Sequence, residues 1–104
     1  YILGQYLLEF PNETFTVIGR FSNSKNMWLN RSAILFQLGY KQKTNSYILF
    51  SECIKHAQSN EFFIQKAIGW ALREYGKTNL EAVKTFVAQT QLKPLSKKEA
   101  LKNL

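Results

Sequence analysis

Apolar positions recur every three or four residues along most of the chain, separated by short polar or proline-marked breaks. Few stretches alternate as a half-buried strand would, so the pattern predicts an all-α protein. Residues 1–9 read as the end of one helix, stopped by Pro11. Asn12 can cap a second helix running to about Phe21, and residues 22–26 form a polar loop. A third helix is predicted over about 26–40. Thr44 or Asn45 can cap a fourth, which reaches about Gln58, and Asn60 can cap a fifth over 61–78. Thr78 with Glu81, and Ser96 with Glu99 after Pro94, have capping-box spacing and predict two more, the last over about 96–103.

A repeat lies beneath these elements. Lys43-Thr44-Asn45 recurs 34 residues later as Lys77-Thr78-Asn79. At the same offset Ala33 maps to Ala67, Ile34 to Ile68, Phe36 to Trp70 and Leu38 to Leu72. Matching linkers and preceding helices in one register indicate helix hairpins stacked as a solenoid. The expected units span about 26–59 and 60–93. Chance likeness between two amphipathic helices is the competing reading, and the identical turn argues against it.

The predicted helix 61–78 carries the most information. Phe63, Ile64, Ala67, Ile68, Ala71, Leu72 and Tyr75 fill one broad apolar arc, and Gln65, Lys66, Gly69, Arg73 and Lys77 fill most of the other. Trp70 falls beside Lys66 and Lys77, roughly 120° from the middle of the apolar arc by ideal helical rotation. An indole among cations suits a flat anionic partner, nucleic acid above all, although packing against a neighbouring repeat would also use it. Gly69 costs roughly 1 kcal/mol in a helix interior, which a close approach by another backbone could offset.

The predicted helix 26–40 is apolar almost all round and belongs inside the stack, yet it holds Arg31. That arginine must find a carboxylate, such as Glu52 or Glu61, or reach a rim where a phosphate can meet it. Trp28-Leu-Asn-Arg31 and Trp70-Ala-Leu-Arg73 both place an arginine three residues after an indole, where the ring can support the guanidinium. The two copies are 42 residues apart and so are not repeat equivalents.

Charge strengthens the polyanion reading. Fourteen Lys and Arg against seven acids give a formal net charge of +7 over 104 residues. All seven acids are glutamates, so no mechanism can draw an aspartate from these residues. A single Cys53 excludes an internal disulfide and reads as an inert buried thiol in a reducing compartment. His56 reads as a surface histidine near a helix end, and no second His or Cys stands at ligand spacing for a metal. Glu61 and Glu74 read as ion-pair partners, and Lys97, Lys98 and Lys102 as solvating charges. No glycine-rich phosphate loop, nucleophile with a histidine partner, or pair of carboxylates set for acid–base work is present. The opening YILGQYLL is too short for a membrane span and lacks the basic region of a signal peptide.

The segments NMWLNRSAILFQLGYKQKT (26–44) and EFFIQKAIGWALREYGKTN (61–79) closely resemble bacterial DNA-alkylation-repair glycosylases of the AlkD type, and LSKKEA (95–100) resembles that family's ending. The resemblance implies a superhelix of HEAT-like helical pairs whose concave basic surface holds duplex DNA containing alkylated purines. It implies excision of N3- and N7-alkylated purines, which are already cationic leaving groups, with no cofactor, no membrane and no obligate protein partner, in the cytoplasm. By position, Trp70 matches the family's lesion-contacting tryptophan, and Arg73 and Arg31 match its phosphate-binding arginines. Lys66 is a further expected phosphate contact, and Trp28 is expected to pack. The family's catalytic aspartate lies upstream of the matching part, so the expectation is a C-terminal portion with no catalytic residue of its own. A DNA-binding solenoid without catalysis and a protein-interaction solenoid stand as alternatives.

Overall fold

Capping side chains and tight turns set the helix boundaries in the computed structural model, which describes residues 2–102. The predicted positions 1 and 103 lie outside that range. Seven α-helices and no strand occur among the described residues: α1 (Ile2–Glu9), α2 (Thr14–Ser22), α3 (Met27–Leu35), α4 (Ser46–His56), α5 (Phe62–Gly76), α6 (Leu80–Gln89) and α7 (Pro94–Ala100). The architecture is the all-helical repeat that the apolar periodicity predicts.

The equivalent turns behave alike. Asn45 accepts from the Ile48 amide at 3.1 Å and Asn79 from the Ala82 amide at 3.1 Å, each capping the second helix of a hairpin. Asn26 caps α3 in the same manner, through the Trp28 amide at 2.8 Å. Asn30 donates to the carbonyls of Phe21, Ser22 and Ser24, at the end of α2 and in the turn that follows it.

Other caps differ from expectation. Asn12 does not cap α2; it lies inside a 3-10 turn, Pro11–Glu13, that leads straight into the helix. Asn60 does not cap α5, because Ser59 Oγ takes the Glu61 amide instead. Asn79 displaces the expected Thr78–Glu81 box on α6. The helix predicted over 26–40 stops at Leu35, since the chain turns through Gly39 at φ +86° and Lys41 at φ +54°. Gln37 then locks this turn by bonding both the amide and the carbonyl of Asn45.

Helix α5 is the spine. It packs against α3, α4, α6 and α7. Ile64, Ala67, Ile68, Ala71 and Leu72 are buried with Leu35, Cys53 and Val83 in the main core. A second cluster joins Leu7 and Ile18 to Ala33, Phe36 and Ile48. Cys53 is fully buried, and burial raises its thiol pKa, so it is the inert thiol expected. His56 is not a surface residue: its side chain is 12% exposed, 3.0 Å from Ser22 Oγ and 3.7 Å from Glu52. No helix is long and apolar enough to cross a membrane among the described residues.

Candidate nucleic-acid interface

Phe63, Lys66, Trp70, Arg73 and Lys77 follow one another at spacings of three and four, so they line a single stripe of α5. The stripe is open to solvent between two neighbours. On one side α3 presents Trp28, whose ring centroid lies 5.2 Å from that of Phe63. On the other side α7 crosses at Gly69. A Cβ at Gly69 would collide with Glu99 Cβ and come within 3.0 Å of the Ser96 carbonyl oxygen. The close backbone approach suggested by a glycine in mid-helix is therefore made by α7.

That crossing explains why Ser96 and Glu99 form no capping box. Helix α7 starts at Pro94 with Lys93 as its cap residue. Ser96 Oγ donates instead to the Gln65 carbonyl of α5 at 2.9 Å. Glu99 accepts from Lys66 Nζ at 2.9 Å through Oε1, and its Oε2 lies 3.6 Å from Arg73 Nη1. The hydrogen bond from Lys66 holds the Glu99 carboxyl below the ordinary value of 4.5, against the opposing pull of burial.

Trp70 is 37% exposed, on the stripe between Lys66 and Arg73. Arg31 is partly buried on α3, one turn beyond Trp28. The ion pair considered for it does not form: among the described residues no carboxylate lies within 4.0 Å, so neither Glu52 nor Glu61 neutralises it. Residues three apart share a helix face, and Trp28 touches Phe63. Arg31 therefore lies one turn from the α3 residue that meets α5 at Phe63. Lys66, Trp70 and Arg73 thus share the α5 stripe, with Lys66 and Arg73 joined through Glu99, while Arg31 stands on the neighbouring α3 with no ion pair among the described residues.

Two further expectations fail. Neither indole supports its own arginine; among the described residues the cation–π contact is Lys66 over the Phe62 ring, 6.0 Å from its centroid. Phe63, placed in the apolar arc, is 46% exposed, and Trp28 is 53% exposed, so the two rings pack on each other at the trough edge and not in the core. Of the two glutamates read as ion-pair partners, Glu74 pairs with Lys77 at 3.1 Å, and Glu61 has no such partner among the described residues. Glu99 was the residue that sequence reasoning missed. Its partners lie 26 and 33 positions away, and only Gly69 signalled that anything crossed there.

An open aromatic and cationic face of this form can grip an extended polyanion: guanidinium and ammonium groups meet phosphates, and the indole meets a base or sugar. The sequence profile of the family described as DNA alkylation repair enzyme matches residues 1–104. The chain belongs to that family. A solved structure described as a predicted DNA alkylation repair enzyme from Enterococcus faecalis is similar to it, with a TM-score of 0.91 and 38% sequence identity over 98% of this chain. The chain spans about half of that relative's length, 48%. Nothing matches among curated proteins.

Proposed function

We propose that the protein is a DNA N-glycosylase of the AlkD type, which excises cationic alkylated purines of the 3-methyladenine and 7-methylguanine kind from duplex DNA. This chain would supply one half of the DNA-binding cleft, built from HEAT-like hairpins at about 26–59 and 60–93. The observation that carries the reading is Trp70, 37% exposed on a stripe between two cations, beside a helix whose Arg31 has no ion pair among the described residues.

In this reading Arg31 and Arg73 hold backbone phosphates flanking the lesion, and Lys66 adds a weaker phosphate contact. Trp70 meets the lesion nucleotide, where its ring face stabilises positive charge. Cleavage of the C1′–N bond transfers the electron pair to the purine, which leaves neutral, and the sugar gains oxocarbenium character until water adds to C1′. A carboxylate facing C1′ would stabilise that charge. No aspartate exists among these residues, and Glu99, on the trough wall, is engaged by two cations. The stabilising group would therefore come from outside this chain. No cofactor is required, because the leaving group is already activated.

The test is base release from methylated duplex DNA by the full-length protein. Folded enzyme that binds the duplex but liberates no alkylpurine would remove the catalytic half of the proposal. It would leave a DNA-binding solenoid. A protein-interaction solenoid would instead show DNA affinity indifferent to Arg31→Ala and Arg73→Ala.

A further inference from the structure

Lys66 and Arg73 already share a carboxylate, Lys66 through a hydrogen bond and Arg73 through a longer ion pair. Each has one oxygen of Glu99, at 2.9 and 3.6 Å. The carboxylate is anchored by the closest helix approach around the trough, with the Glu99 Cβ seated over Gly69 and Ser96 bonded to the Gln65 carbonyl one turn away. It is also shielded, its side chain being 14% exposed. A carboxylate set between an ammonium and a guanidinium makes the contacts that a backbone phosphate would make.

We infer that Glu99 is a specificity-determining residue, a built-in stand-in for phosphate that keeps undamaged DNA weakly bound. The inference rests on the DNA-binding reading of this face. To gain the full contact of Lys66 and Arg73, a backbone phosphate must displace Glu99 from both. A normal base provides nothing to offset that displacement. A cationic alkylpurine does, through Trp70 on the same stripe. Arg31, which has no carboxylate, supplies the residual grip common to all sequences. Lys66 accordingly contributes little to the binding of undamaged duplex while Glu99 is present, although it lies on the face.

The experiment measures binding of the full-length protein to an undamaged and a methylated duplex across salt concentrations, by fluorescence anisotropy. Glu99→Gln keeps the shape and removes the charge. It should tighten binding to undamaged duplex about 3- to 10-fold near 0.1 M salt and steepen the log–log salt slope by about one, the increment for one more neutralised phosphate. Methylated duplex should gain less, so discrimination falls. Lys66→Met should cost clearly less in the wild-type background than beside Glu99→Gln, a coupling that an independent phosphate contact would not show. If Glu99→Gln does not fold, Lys66→Met alone decides: a loss as large as that of Arg31→Ala overturns the inference. So does unchanged or weaker binding of undamaged DNA by folded Glu99→Gln, the result expected of a structural clip. Wild-type protein that binds neither duplex at low salt would overturn the DNA-binding reading, and the inference with it.

Discussion

Trp70 and Arg31 each break the pattern of the helix that carries them. Trp70 is 37% exposed on α5, so Trp70→Ala should lower the melting temperature through lost packing, and its activity is compared at a temperature where the variant stays folded. Loss of a desolvated cation–π contact of about 2 kcal/mol corresponds to a roughly 30-fold slower single-turnover release of alkylpurine. Unchanged release by the folded variant would instead return the ring to packing. Arg31 makes no ion pair among the described residues. Arg31→Ala should therefore break no ion pair, weaken binding to damaged and undamaged duplex alike, and reduce the salt slope by about one. The sequence made both residues legible for the same reason, that each breaks the pattern of its own helix: a ring off the apolar arc, a cation on an apolar helix. It could not show whether Arg31 had a partner, because that depends on which helices meet.

Between elements, the decisive contact is α5 on α7, and it depends on one missing Cβ. Gly69→Ala would place a methyl group against Glu99 Cβ and the Ser96 carbonyl. Although alanine favours helix by about 1 kcal/mol, overpacking at a backbone contact costs about 1–3 kcal/mol. Net destabilisation in a denaturant titration is expected, and stabilisation would show that α7 yields freely. Asn45→Ala and Asn79→Ala should each cost about 1 kcal/mol, and similar losses would mark the two turns as equivalent. The Lys66–Glu99 pair adds an acid-sensitive component. With the folded pKa of Glu99 below 4.5, its contribution is fully present above that value and is lost as pH falls through the folded pKa. Glu99→Gln should therefore flatten the acid limb of melting temperature against pH. Helix number and the asparagine caps were readable from local pattern, since period and cap chemistry are local. The capping boxes at Thr78–Glu81 and Ser96–Glu99 misled because the same residue types serve other partners. Asn79 lay one residue closer to its helix, and Ser96 and Glu99 faced α5.

Across the whole molecule, charge is distributed to act at a distance and to be curbed at the site. The net charge of +7 draws a polyanion from any direction. Of the four cations on α5 and its neighbour α3, Arg31, Lys66, Arg73 and Lys77, the last three are already paired with two carboxylates, Glu99 and Glu74. Net positive charge on the face is therefore about half its nominal value, and long-range attraction exceeds local grip. Binding to undamaged duplex should then show a shallow salt dependence from this half of the cleft, with Arg31 and a shared Arg73 neutralising about two phosphates for a slope near −2. A protein using all four cations freely would approach −4. Alanine at Arg31, Lys66, Arg73 and Lys77 together should thus lower the slope of the full-length protein by about two. A drop close to four would mean that the glutamates are released as soon as DNA arrives, and that the trough grips damaged and undamaged duplex through the same charges.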